Sequence, residues 1–189
     1  MPTLLITIFD DSGSVAGPAG TDPLSNRYGE AAYAFSVVAR KGGRHELGAV
    51  LHFDSPCSTD VGPVPITRRG LLMLRSGLRT PGDGVGSSEL ALGLERAVAL
   101  AETHADHEVT LVVLSDFLLM DPEPGPVLSA LAAFPGAVHA VVLGHRLPAG
   151  VLDERIVETH IQRGDPPGAL ARALFASLIT HRPGSFLAG

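Results

Sequence analysis

The 189-residue chain has one cysteine, one lysine and no tryptophan. A lone Cys57 excludes an internal disulfide, and no CxxC or Cys/His zinc spacing is present. Lys41 is the only lysine, so 13 of the 14 basic residues are arginine. The basic residues form no evident stripe along the sequence. With 20 acidic residues and a net charge of −6, the electrostatic footprint of a nucleic-acid binder is missing. No apolar run reaches the ~18 residues of a membrane span. The opening residues lack the basic start and cleavage signal of a secretory leader. Charged residues make up only 18%, but the apolar fraction of 45% is too high for a disordered chain. These absences predict one soluble, cytoplasmic domain spanning residues 1–189, and the alanine- and arginine-rich, lysine-poor composition is typical of high-GC genomes.

What is present alternates between two periods. Thr3–Phe9, Leu47–Phe53, Val109–Leu114 and Val138–Leu143 are short, continuous, mostly β-branched or aliphatic runs, the pattern of strands buried on both faces. A further strand is predicted at Arg155–His160, and the proline-containing stretch Ser58–Ile66 reads as a short edge strand or loop. Between them lie helical spacings. One helix runs from a Ser25 or Asn26 cap to about Arg40, ended by Gly42-Gly43. Others are predicted at Gly70–Leu78, Ser88–Glu102 and Pro124–Phe134, and over 166–180 with Asp165 as cap and Leu170, Leu174, Phe175 and Leu178 on one face. This order predicts an α/β, doubly wound, Rossmann-like fold. Its central sheet is mostly parallel, with helices on both faces and one short antiparallel edge strand. Ligands of such sheets bind beyond the carboxyl ends of the strands.

Three polar clusters interrupt the apolar pattern, each at a predicted junction near a strand end or helix start: Asp10-Asp11-Ser12-Gly13-Ser14, Gly86-Ser87-Ser88, and Ser115-Asp116. If the first and the 109–114 strands are neighbours, Asp10 and Asp116 share one small volume. Two carboxylates about 6 Å apart repel by roughly 3 kcal/mol at an effective dielectric near 20. None of the clusters contains a basic residue, so a bound cation is the simplest compensation. Every candidate donor is a hard oxygen, which favours Mg²⁺, with Mn²⁺ as the alternative.

The motif Asp10-x-Ser12-x-Ser14 resembles the DxSxS signature of von Willebrand factor A (vWA) domains of the stand-alone bacterial type. Gly86-Ser87-Ser88-Glu89-Leu90 resembles that family's GGTxL segment, and Leu111–Asp116 resembles the strand that ends in its distant Asp. The resemblance implies a metal-ion-dependent adhesion site (MIDAS) built by Asp10, Ser12, Ser14, Ser88 and Asp116. The three serines would act through their hydroxyls and the two aspartates mainly through bound water. It further implies a non-catalytic, Mg²⁺-dependent protein-interaction module, an intracellular adaptor. A partner would supply a carboxylate, within an AAA+ ATPase or another multi-protein system. Three departures stand out: Ser88 occupies a threonine position, Phe117 follows Asp116 where glycine is common, and the Gly/Pro-rich stretch before the first helix is long.

Six residues beside the site are candidate partner contacts: Asp11, Asp22, Asn26, Arg27, Ser87 and Phe117. Asp11 is expected to face solvent. His52 and His139 lie in apolar runs and read as satisfied buried histidines, His104 and His107 as a solvated helix end, and Cys57 as an unreactive thiol. The competing function is a Mg²⁺-dependent hydrolase or phosphotransfer protein on the same sheet. Against it, Ser12 stands where a phosphatase would need a second Asp, and the one lysine follows the first helix rather than a later strand. No glycine-rich phosphate loop with lysine is present either.

Overall fold

A computed structural model describes residues 2–41 and 45–180. The strands are β1 (Thr3–Phe9), β2 (Leu47–His52), β3 (Val61–Pro65), β4 (Glu108–Ser115), β5 (Ala137–Leu143) and β6 (Val157–Ile161). The helices are α1 (Gly13–Ala16), α2 (Asn26–Lys41), α3 (Arg68–Gly77), α4 (Ala91–Thr103), α5 (Pro124–Ala132) and α6 (Ala169–Thr180). The sheet order is β3-β2-β1-β4-β5-β6, with every pairing parallel except β2–β3. The expected α/β architecture and its antiparallel edge are both present. Pro63 and Pro65 lie on that edge strand, where the missing N–H groups disturb no central ladder.

The continuous apolar strands are buried twice over because side chains alternate across the sheet. Leu4, Ile6 and Ile8 of β1, with Leu111 and Val113 of β4, pack under α4 and α5 through Leu90, Leu94, Ala97 and Leu131. Leu5 and Phe9, with Val112 and Leu114, pack under α2, α3 and α6 through Tyr28, Phe35, Leu74 and Leu174. Each of the larger side chains contributes about 1.5–3 kcal/mol on burial, which fixes the strand ends that carry the polar clusters. Close approach also sets α3: a Cβ on Gly70 would sit 1.8 Å from the Pro65 carbonyl oxygen, so only glycine lets the helix start there.

Several boundaries differ from expectation. A one-turn helix, α1, follows Ser12, because the Ser12 carbonyl accepts from the amides of Val15 and Ala16. The cap of α2 is Asp22 rather than Ser25 or Asn26, since its carboxylate accepts from the Asn26 and Arg27 amides at 2.9 and 3.1 Å. Helix α4 begins at Ala91 rather than Ser88, because Asp54 and Asp121 take the amides of the preceding segment. Helix α6 begins three residues after Pro166. Its N-terminal amides at Gly168 and Ala171 are taken by Glu30 of α2, while Asp165 accepts instead from Gln162 N. The expected Gly42-Gly43 stop and the Leu178 side chain lie outside the described residues.

Candidate metal centre

Strand order reverses between β1 and β4, and both polar strand ends meet there. Phe9 pairs with Leu114, the Asp10 amide continues the ladder onto the Leu114 carbonyl at 3.0 Å, and Asp10 therefore stands beside Ser115 and Asp116. Ser115 Oγ donates to Asp10 Oδ2 at 2.6 Å and the Ser12 amide donates to Oδ1 at 2.8 Å. Burial pushes the Asp10 carboxyl above the usual carboxylate range. The bonds from Ser115 and Ser12 pull it down, and the charge of Asp116 pushes it up again. The Ser12 and Ser14 hydroxyls lie 3.0 Å apart beside it. On Asp116, Oδ1 accepts from the Leu118 amide at 3.1 Å, whereas Oδ2 is buried with no hydrogen-bond partner.

The third cluster arrives on a strap over residues 84–90. Asp54, two residues past β2, accepts from the Gly86 and Ser87 amides, both at 3.0 Å. Asp121, past β4, accepts from the Leu90 and Ala91 amides, also at 3.0 Å. The Ser88 carbonyl accepts from Met120 N, so Ser88 is tied to the segment that follows Asp116. Gly86 is in the left-handed region (φ +70°), with the Asp11 carbonyl 3.5 Å from where its Cβ would be. Sequence reasoning missed Asp54 and Asp121. Their signal was an aspartate two residues beyond β2 and another six beyond β4, which by itself also fits an ordinary turn.

Of the six residues expected at a partner surface, four prove to be buried: Asp11, Asp22, Arg27 and Phe117. Asp11 does not face solvent: it is buried and accepts from Arg27 Nη2 and Tyr28 OH, both at 2.5 Å, and faces His52 Nδ1 at 2.8 Å. Burial alone would raise its carboxyl, but the His52 and Tyr28 bonds and the Arg27 charge outweigh that and hold it below the usual range. Arg27 is 1% exposed and bridges Asp11 to Asp22, the latter at 2.9 Å. An inward arginine is what lets two acids sit behind the strand end. Phe117 is 8% exposed, packs into the α4/α5 core and adopts φ +56°. That conformation explains why glycine would suit the position, and burial explains why Phe is there. Asp22 is also largely buried; Asn26 is exposed and Ser87 half-buried. The long Gly/Pro stretch is folded back on α1 through Thr21 N to the Ser14 carbonyl and Asp22 N to the Val15 carbonyl.

The one arginine near the clusters is thus committed to Asp11. Asp10, Asp116 and Ser12, all buried, and the half-buried Ser14 form an oxygen-only set with an unmatched carboxylate oxygen and, among the described residues, no neutralising base. The donor chemistry fits a hard divalent cation.

No family model and no curated protein matches the chain. Solved structures do. The von Willebrand factor type A protein from Catenulispora acidiphila superposes with a TM-score of 0.66 at 13% identity, over 92% of this chain and 41% of that one. Proximal thread matrix protein 1 from the mussel byssus, with a zinc-occupied MIDAS motif, gives 0.60 at 16% identity, over 95% of this chain and 48% of that one. The SpRpn10 VWA domain gives 0.58 at 9% identity, covering 91% and 93%. The chain spans less than half the length of the first two proteins. The sheet order, the strand-end site and these superpositions together establish that this chain has the von Willebrand factor A fold.

Proposed function

We propose that the chain is a non-catalytic, Mg²⁺-dependent protein-binding module whose metal is held by Asp10, Ser12, Ser14, Ser88 and Asp116. The observation that carries the reading is Asp116 Oδ2, a buried carboxylate oxygen without a partner beside a second buried carboxylate. Leaving such an atom unmatched costs several kcal/mol, and a cation between the two acids relieves it. When bound, the cation would supply an electrophilic coordination position. With few carboxylates around it, it would favour an anionic oxygen from outside, such as a partner's Asp or Glu. The strap carrying Ser88, pinned by Asp54 and Asp121, would keep the serine hydroxyl in place as the partner arrives. Adaptor work in the bacterial cytoplasm, within an AAA+ ATPase or another multi-protein system, is the context we assign to this module.

The test is capture of partners by the tagged chain from native lysate, with Mg²⁺ and with chelator, alongside Asp116→Asn. A partner retained by the wild type only with Mg²⁺, and by Asp116→Asn in neither buffer, is the expected result. Equal capture under all conditions would place the interface away from these residues, and Mg²⁺-dependent hydrolysis of phosphoester substrates would overturn the non-catalytic reading.

A further inference from the structure

A second cluster, of different chemistry, lies under the strand-end site on the turn after β2. His52 closes β2 with its ring fully buried, and Cys57 and Asp60 follow on the turn. One ligand atom from each of these three residues lies within 4.8 Å of the others. Cys57 Sγ and Asp60 Oδ1 are 3.4 Å apart. A thiolate sulfur and a carboxylate oxygen bound to one tetrahedral zinc, at about 2.3 and 2.0 Å, would be separated by about 3.5 Å. Two of the three donors therefore already stand at ligand spacing.

The turn is fixed before any ion arrives. Ser55 Oγ donates to Asp60 Oδ1 at 2.9 Å and the Cys57 amide donates to Oδ2 at 3.1 Å. Arg96 of α4 pairs with Oδ2 at 3.0 Å. The histidine is oriented from behind: Asp11 faces Nδ1 at 2.8 Å. That is the arrangement in which a carboxylate sets the tautomer and ring plane of a metal-binding imidazole, with Nε2 as the coordinating atom once the ion replaces its present partner. Nε2 points to the Gly77 carbonyl at 3.0 Å, on the side where the backbone of α3 approaches the turn. A Cβ on Gly77 would lie 2.6 Å from the Thr59 carbonyl oxygen. The Thr59 hydroxyl, 3.3 Å from Cys57 Sγ, is a candidate fourth donor.

We infer that His52 Nε2, Cys57 Sγ and Asp60 form a site for a borderline-soft divalent cation, with Zn²⁺ as the matching ion and Asp11 as the positioning carboxylate. Imidazole and thiolate select against Mg²⁺, so this site and the oxygen-only cluster above it discriminate between cations. Binding is a ligand exchange without electron transfer. The Cys57 S–H bond breaks, Nε2 exchanges its hydrogen bond to the Gly77 carbonyl for the ion, and the protons released from sulfur and Nε2 leave to solvent. The inference does not depend on the function proposed for the upper cluster.

Because Cys57 is the only cysteine, Co²⁺ is a decisive probe: a thiolate-to-cobalt charge-transfer band in the near ultraviolet can arise from no other residue. The full chain, in excess Mg²⁺, is titrated with Co²⁺. One equivalent should develop the band, and one equivalent of Zn²⁺ should erase it. Cys57→Ser, on a half-buried turn position, should lose it while keeping the wild-type circular dichroism. Asp60→Asn and Asp11→Asn should weaken Co²⁺ binding about 10- to 100-fold. The upper cluster is removed from the readout by repeating the titration in Asp116→Asn, which should leave the band unchanged. Failure of the band to form in the wild type, or Zn²⁺ uptake by Cys57→Ser equal to that of the wild type, would overturn the assignment.

Discussion

Arg27 decides which acid at the end of β1 is neutralised by the protein itself. It reaches back from α2 to Asp11 and Asp22 with its side chain out of water, and leaves Asp10 and Asp116 without a base. Replacing it with leucine strands two buried or nearly buried carboxylates. Loss of about 3–5 kcal/mol in urea unfolding at neutral pH is expected. Adding Asp11→Asn to that variant should recover part of the loss, since only Asp22 is then left as an unpaired carboxylate. The sign with pH follows from Asp11 itself. Its carboxyl is held below the usual value in the folded chain, so its stabilising contribution is present above that value and disappears as pH falls through the folded one. Phe117 presents the opposite balance. Its φ of +56° costs on the order of 1 kcal/mol, while its burial is worth about 3–5 kcal/mol by the usual Phe truncations. Phe117→Gly relieves the first and forfeits the second, so a net destabilisation of about 2–4 kcal/mol is expected. An unchanged or raised unfolding midpoint would show that backbone strain dominates.

At the scale of elements, His139 of β5 ties three pieces of the far side together. Its Nδ1 meets Ser177 Oγ of α6 and its Nε2 meets Thr159 Oγ1 of β6 at 2.8 Å. Desolvation lowers its pKa to about 4 from an ordinary 6.5, so the folded protein keeps it neutral while the unfolded chain protonates. Between about pH 6.5 and pH 4 the unfolded state binds the extra proton. The stability assigned to this residue therefore falls by about 3 kcal/mol over that window and is constant above it. His139→Gln, which can still bond both hydroxyls, should flatten that part of the profile in thermal or urea unfolding. A wild-type profile no steeper than the variant's would refute the assignment. The elements themselves were largely legible in the sequence, because a strand buried on both faces reads as an unbroken apolar run and an amphipathic helix shows its 3.6 period. The boundaries that moved are those set by side chains distant in sequence. Asp121 decides where α4 begins, Glu30 caps α6, and Asp54 holds the strap from more than thirty residues away. The same limit applied at the site. The strand-end serines and aspartates could be picked out by local spacing, but Arg27 turning inward and Phe117 entering the core depend on what α2 and α4 bring to them, and no local pattern records that.

For the whole molecule, the electrostatics of the strand-end cluster set folding against the metal binding proposed for it. Without a cation, Asp10 and Asp116 repel, and burial raises the Asp10 carboxyl, so at neutral pH the pair opposes folding. In the proposed site, the same pair would become the source of affinity for a cation. Mg²⁺ at about a hundred times its dissociation constant stabilises a chain that binds it only when folded by about 2.7 kcal/mol. For a domain of this length that is a rise in Tm of roughly 5–11 °C. Asp116→Asn should cross over between the two conditions. In chelator its Tm should equal or exceed the wild type's, because the amide removes the repulsion, on the order of 1–3 kcal/mol, and gives Asp116's unmatched position a donor. In Mg²⁺ the wild type should overtake it, with the variant showing almost no response. Calorimetry of both proteins in both buffers reads the crossing directly. A variant that is less stable than the wild type in chelator, or that keeps the full Mg²⁺ shift, would mean that the buried pair is a structural hydrogen-bonding unit. A variant that crosses over would mean that the fold tolerates a local repulsion, to be relieved by the ion.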